Sequence, residues 1–397
     1  MRRLALLVGC LLFALTLAGC SSSSSSGTHV AKIGVVAPLD KGLTQFGRGI
    51  RNSVQVAVNQ ANSRKALAGW KFEMKAEDDS SDPATGEAAA HRLAADPDVI
   101  GVVGTYNSGV AAKVAPVLDT AGLVMISPGN TDPALTLGSD QAQPVRPHAN
   151  YFRMVAADNV QGPFLAKAAY SDIKARKVAV VSETKAVSKG LADAFSADFT
   201  SRGGSVVFTK VVPDGTTDYH DVVPQIAAAH PDLVFFGGEY QVGAQFAKQV
   251  SDGGVKVPVM GGDGIKDDAF ITTAGPASDG DFASTVGQPF ASVPSAKPFL
   301  DAYAAAHYAE PPTDFGVYAF DAANAIIASA SQALNGKDKV TPAARRAVVG
   351  AVQVYSATGA SGRVAFDKFG DPVDKVLTLY QVTAGAWKPV KTETSST

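Results

Sequence analysis

From residue 31 the chain alternates two kinds of segment. Short apolar runs rich in Val and Ile (Ala31–Ala37, Phe72–Ala76, Val99–Val103, Leu123–Ile126, Val178–Val181, Val206–Val212, Leu233–Phe236 and Val257–Met260) are followed by Gly, Pro or Asp turns and read as strands. Between them lie stretches with apolar residues three and four apart, which that spacing predicts as helices: Gly47–Ser63, Pro83–Ala95, Ser108–Thr120, Ser188–Arg202, Tyr219–Ala229 and Tyr240–Asp252. Runs such as Val178-Ala179-Val180-Val181 and Leu233-Val234-Phe235-Phe236 lack polar alternation, so they fit strands covered on both faces. Strand and helix in regular alternation predict α/β architecture with parallel sheets.

Four strand–helix units precede about residue 150 and four follow it, which suggests two similar lobes. Ser139–Asn150, with Pro144, Pro147 and no clear period, is the expected first crossing between them. Later segments Pro294–His307, Thr313–Leu334 and Pro342–Val352 have helical spacing, and Arg363–Phe366 and Val376–Val382 read as late strands. In open parallel sheets ligands sit beyond the carboxyl ends of the strands, close to helix amino termini, so those positions are where binding groups are expected.

The start of the chain has a different pattern. Met1-Arg2-Arg3 leads into an apolar stretch from Leu4 to Leu17, then Leu17-Ala18-Gly19-Cys20 and the serine run Ser21 to Ser26. This predicts a lipoprotein signal peptide over 1–19, lipid attachment at Cys20 and a polar tether over 20–28. The other reading is a short transmembrane anchor, and both place the remaining chain outside the cytoplasm. Of the two cysteines, Cys10 would leave with the signal and Cys20 would carry the lipid, so no thiol remains for a disulfide or zinc. With 46% hydrophobic residues over 397, two packed cores are expected instead. A net charge of −2 gives no basic face for nucleic acid, which points to a small ligand.

The common nucleotide, hydrolase and zinc motifs are absent, and the six histidines are scattered without partner spacing. Asp218-Tyr219-His220-Asp221 could supply metal ligands, but a turn and an acidic helix start explain it better. Glu77-Asp78-Asp79 with Asp82-Pro83 lacks calcium-loop spacing and fits a strand end followed by a helix start. What remains are strand ends bearing hydroxyls and carboxylates. Gly104-Thr105-Tyr106-Asn107-Ser108-Gly109 follows a strand and opens a helix, so the Ser108 hydroxyl and nearby amides would face a ligand anion. Ser127-Pro128-Gly129-Asn130-Thr131 follows the next strand and presents the Thr131 hydroxyl. Gly261-Gly262-Asp263-Gly264 places one carboxylate among glycines that permit close backbone approach. Each alone is also ordinary capping or turn chemistry. Together they describe anion donors in one lobe and a cation acceptor in the other, as a zwitterion requires.

At this point the chain resembles the type I periplasmic solute-binding proteins of branched-chain amino acid ABC transporters, the Leu/Ile/Val-binding family. The landmarks are Lys32-Ile33-Gly34-Val35-Val36-Ala37-Pro38-Leu39, Gln45-Phe46-Gly47, Asp78-Asp79-Ser80-Ser81-Asp82-Pro83, Met125-Ile126-Ser127-Pro128, Asn159-Val160-Gln161-Gly162, Phe236-Gly237-Gly238 and Met260-Gly261-Gly262-Asp263-Gly264. The resemblance implies two Rossmann-like lobes with parallel sheets and a three-segment hinge, residues 29–152 and 288–360 forming the amino-terminal lobe and 153–287 and 361–397 the carboxyl-terminal one. It implies that Ser108, Gly129 and Thr131 hold a ligand carboxylate and part of its ammonium, that Asp263 receives the ammonium, that Phe46 is an aromatic beside the ligand, and that Phe315 walls the side-chain pocket.

Four positions depart from the pattern. Val187 stands where an aromatic is common, Glu239 where a tyrosine is common, and Asn107 and Ser81 where some members carry a disulfide. An unpaired Glu239 facing the cleft would tolerate an apolar ligand poorly, because a desolvated lone carboxylate is costly. The expectations are therefore a polar or basic ligand group beside Glu239, or a Glu239 turned to solvent. The function implied is a lipid-anchored, monomeric binding protein, without enzyme activity or cofactor, that delivers an amino acid to ABC permease subunits. A sensor of the same fold signalling to a membrane partner is the alternative.

Overall fold

The computed structural model describes residues 28–396. The expected signal peptide, Cys20 and the serine run lie outside the described residues, so the expectations placed there rest on sequence alone.

The first sheet is built from β1 (His29–Ala37), β2 (Trp70–Asp78), β3 (Val99–Gly104), β4 (Val124–Ser127) and β5 (Tyr151–Arg153). They pair in the order β2-β1-β3-β4-β5, all parallel, with β1 and β2 in register from His29–Trp70 to Ala37–Asp78. Parallel pairing requires crossovers, which are α1 (Thr44–Ser63), α2 (Pro83–Ala95) and α3 (Ser108–Thr120), with the single turn α4 (Ala134–Leu137) before β5. Asp82 starts α2 by accepting the Thr85 N–H at 2.8 Å, and Glu77 pairs with Arg92 at 2.7 Å. The acidic run is thus a strand end and a helix cap.

The second sheet begins after α5 (Asp158–Lys167). It contains β6 (Lys177–Glu183), β7 (Ser205–Val212), β8 (Leu233–Gly237), β9 (Val259–Gly261) and β10 (Phe282–Thr285), linked through α6 (Ala186–Ser201), α7 (Val223–Ala228), α8 (Tyr240–Asp252) and α9 (Asp268–Ala274). The predicted helix over Tyr219–Ala229 is shorter than expected. Asp218 accepts the backbone N–H of His220 at 3.0 Å and holds a turn, and Pro224 sets the helix start after it. The chain then returns to the first sheet with α10 (Lys297–Ala305), α11 (Thr313–Ala333) and α12 (Pro342–Gln353), of which α11 packs on α1, β3 and β4.

The hairpin β11 (Ser356–Gly359) and β12 (Gly362–Ala365) follows, and β13 (Asp374–Thr383) and β14 (Ala386–Ser396) complete the second sheet in the order β14-β13-β10-β9-β8-β6-β7. The expectation of parallel pairing holds for β6 to β10, but β13 and β14 are antiparallel. For β14 the reason is local: Ala384 and Gly385 both have positive φ, 53° and 72°, and make a tight hairpin that can only reverse direction.

Three stretches connect the sheets, and buried polar groups tie them. Arg153 is fully buried, donates to Asp371 at 2.7 Å, and also donates to the carbonyls of Asn130 and Asp132. The first and third connections are thereby joined to the loop after β4. Burial would depress the Arg153 guanidinium, but the Asp371 charge outweighs it and holds the group protonated. On α11 the Tyr318 hydroxyl donates to the Val286 carbonyl at 2.9 Å, and Asp321 accepts the amides of Ala360 and Ser361.

Candidate functional site

The carboxyl ends of β3 and β4 open into a cavity between the two sheets. Its walls include Tyr106, Asn107, Ser108, Gly129 and Thr131 on one side, and Asp158, Val187, Leu191, Glu239 and Asp263 on the other. Seven of the nine residues singled out from sequence as ligand contacts therefore meet here: Asn107, Ser108, Gly129, Thr131, Val187, Glu239 and Asp263. The space is small, about 50 Å³ open to the centre of a water molecule, which suits a small ligand.

On the first wall, α3 begins at Ser108 directly after β3, so its leading amides point into the cavity. The Asn107 side chain stands at the cap position without a capping hydrogen bond, and its carbonyl takes the Val110 and Ala111 amides, which leaves those of Ser108 and Gly109 to an incoming anion. The Ser108 hydroxyl oxygen accepts the backbone N–H groups of Thr131 and Asp132, each at 3.2 Å. Its lone pairs are thus occupied while its proton remains to donate, which orients the hydroxyl as a donor toward a carboxylate. The loop carrying Gly129 and Thr131 is fixed from behind. Ser127 Oγ accepts the amides of Gly129 and Asn130, and the Asn130 side chain donates to the Tyr106 carbonyl at 2.7 Å. A Cβ on Gly129 would lie 2.9 Å from the Tyr106 ring and 3.2 Å from Phe315, so this position leaves no space for a side chain.

Opposite this donor-rich wall are carboxylates. Asp263 follows β9, is 8% exposed, and accepts from Gln161 Nε2 at 2.9 Å, while Gln161 Oε1 accepts the Asp263 amide at 2.9 Å. Burial raises the Asp263 carboxyl to about 6 against the opposing Gln161 hydrogen bond. Asp158, at the start of α5, is 2% exposed, and its Oδ2 accepts no hydrogen bond among the described residues. Burial, then the nearby Asp263 charge, pushes its carboxyl well above the usual range. Two buried carboxyls near one another make a region that attracts a cation. Asp158 and Gln161 escaped the sequence reading, although they flank and belong to the Asn159-Val160-Gln161-Gly162 landmark. Tyr106, in the same strand-end loop as Ser108, was also missed as a wall residue.

Of the two expected positions Glu239 takes the one in the cleft rather than in solvent. It faces the cavity, but it is paired: Lys185 Nζ lies 2.6 Å from one carboxylate oxygen, and Asn107 Nδ2 donates to the other at 2.9 Å. Burial works against the Lys185 charge, but the Glu239 and Glu183 carboxylates outweigh it and hold the ammonium above its ordinary range. Glu183, 1% exposed, accepts the Glu239 amide at 3.2 Å and fixes its backbone. The assumption of a lone carboxylate failed because Lys185, two residues from Val187, supplies the counter-charge from the start of α6.

Phe46 and Phe315 are not on the cavity wall. They form a buried aromatic cluster behind Tyr106, with ring centroids 4.8 Å apart for Phe46–Tyr106 and for Tyr106–Phe315, and 5.1 Å for Phe46–Phe315. Tyr240 of the second lobe joins Phe46 edge-on at 5.6 Å. The cluster supports the wall and carries apolar contact from one lobe to the other. Among the described residues no group of three or more His, Cys, Asp or Glu is placed to hold a metal ion, and no helix is long and apolar enough to cross a membrane.

Two α/β lobes, three connecting segments and a polar cavity closed between the sheets define a two-lobed solute-binding protein. The family model of the periplasmic binding proteins matches residues 30–386, and the chain belongs to that family. Its members are extracytoplasmic binding proteins of transport rather than enzymes. The chain is 29% identical over 353 residues to the Leu/Ile/Val-binding protein BraC3 of Rhizobium johnstonii, covering 89% of this chain and 92% of that protein. It is 26% identical over 289 residues to the Leu/Ile/Val-binding protein of Escherichia coli, covering 72% and 76%. The fold matches the leucine-binding protein LivK of Thermotoga maritima with a TM-score of 0.80 at 23% identity, covering 91% of this chain and 98% of that one. It also matches LivJ of Streptococcus pneumoniae in complex with isoleucine, with a TM-score of 0.79 at 23% identity and coverage of 93% and 100%.

Proposed function

We propose that this protein is the substrate-binding component of an ABC uptake transporter, held outside the cytoplasm by a lipid on Cys20, and that it binds a small amino acid as a zwitterion between its lobes. The observation that carries this reading is the opposition of the Ser108 hydroxyl and α3 amides to Asp263 and Asp158 across one cavity. The ligand carboxylate docks on the first wall with Gly129 and Thr131. Asp263 reaches the ammonium as the lobes close, so affinity depends on both lobes. The closed monomer is then the form that permease subunits receive. The Leu/Ile/Val-binding relatives support an amino acid as the ligand class.

Thermal unfolding against a panel of L-amino acids, short amides and aromatic acids tests this. Ligand at about a thousand times its dissociation constant should add roughly 4 kcal/mol and move the midpoint visibly. Replacing Asp263 by Ala should cost on the order of 3–5 kcal/mol of binding, a few hundred- to a few thousand-fold, and a loss under tenfold would remove Asp263 from the site. For the anchor, Cys20→Ser should abolish labelling by a fatty acid and release the protein from the membrane.

A further inference from the structure

We infer that Asn107 is a specificity-determining residue, set in place by Glu239 and Lys185, and that the ligand carries a neutral hydrogen-bond donor on its side chain, a hydroxyl or a carboxamide. This rests on the amino-acid reading above. The Asn107 amide nitrogen is committed to Glu239 at 2.9 Å, which fixes which end of the side chain is which. Its carbonyl oxygen is consequently turned away from Glu239. That oxygen is buried, belongs to a residue lining the cavity, and receives no hydrogen bond among the described residues.

The Glu239 charge is already met by Lys185 at 2.6 Å, so it asks for no cation on the ligand. What the wall lacks is a donor for the Asn107 oxygen. A branched aliphatic side chain would leave that acceptor desolvated and unpaired, and a hydroxyl or carboxamide would satisfy it. The cavity of about 50 Å³ argues in the same direction, toward compact side chains. The same bond joins the start of α3 in one lobe to the start of α8 in the other, so the residue that reads the ligand also belongs to the closed interface.

The experiment is titration calorimetry of the purified protein with Ser, Thr, Asn, Val, Leu and Ile, repeated on Asn107→Leu, Glu239→Gln and Glu239→Met. The expected result is that Ser, Thr or Asn binds more tightly than the aliphatic set. Asn107→Leu, which also removes the bond to Glu239, should weaken that polar ligand by about ten- to a hundredfold more than it weakens Val. Glu239→Gln keeps an acceptor for the Asn107 amide and should preserve the polar-to-aliphatic ratio, whereas Glu239→Met should collapse it. A general structural defect would lower all ligands together and leave the ratio unchanged, which would overturn the inference. Tightest binding of Leu, Ile or Val would overturn it while leaving the transport reading intact. Failure of every amino acid to bind would overturn both.

Discussion

In the proposed function a single residue, Asp263, sets the pH range over which the site binds. Its carboxyl is lifted to about 6 by burial, and only its ionised form attracts an ammonium. Ligand affinity should therefore be level above pH 6 and fall as pH drops through that value, approaching about tenfold per unit. Calorimetry between pH 4.5 and 8 should trace this fall, and Asp263→Asn should bind weakly with that component of the pH dependence removed. Asp79 acts on stability instead. It is fully buried at the end of β2, one of its oxygens has no partner among the described residues, and burial lifts it to about 7. The folded state holds this proton more tightly than the unfolded chain, whose carboxyl titrates near 4. The stabilisation is therefore complete below about pH 4 and lost as pH rises through 7, on the order of 4 kcal/mol in all. Thermal midpoints should drop between pH 5 and 8, and Asp79→Asn should flatten that drop.

At the level of elements, the regular parts were legible in sequence because each carried its own period. The unbroken apolar runs that became β3, β6 and β8 are buried on both faces, and the helices between them had apolar stripes. The sequence reading also missed α5, α9 and β10, and two further missed elements owe their order to partners elsewhere. β5 has only three residues, too few to show a period, and is held by the buried Arg153. β14 reads as polar and exists because a hairpin folds it back onto β13. Site residues divided similarly: strand-end hydroxyls announced themselves, whereas Lys185 and Asp158 matter through partners 54 and 105 positions away, Glu239 and Asp263, which no local pattern reveals. The connecting hairpin offers a test at this scale. Asp321 on α11 accepts the amides of Ala360 and Ser361 and the Ser361 hydroxyl. Asp321→Ala would leave buried donors unpaired and should cost about 2–4 kcal/mol in denaturant unfolding, with Asp321→Asn recovering part of it.

For the molecule as a whole, the proposed closure is a sum of contacts between the lobes that a ligand would complete. Asn107 meets Glu239, Lys266 meets Asp314 at 2.9 Å, Gln241 donates to the Gly42 carbonyl at 3.1 Å, and Phe46 packs on Tyr240. Each bond is worth little net, because opening returns its groups to water, so a few of them bring the closed and open forms within a few kcal/mol. A ligand that binds both walls then shifts the population by its differential affinity for the closed form. Small-angle scattering should accordingly record a smaller radius of gyration with a binding amino acid than without it. The two walls can be separated in the same measurement. Asp263→Ala leaves the donor wall of the first lobe intact, so at saturating ligand it should bind weakly and remain nearer the open dimensions. Lys266→Ala removes only a partly exposed ion pair across the cleft and should still close at saturation, with affinity reduced less than tenfold and the reduction shrinking as salt is raised. If Lys266→Ala stayed open at saturating ligand, closure would depend on protein–protein contacts rather than on the ligand bridging the two walls.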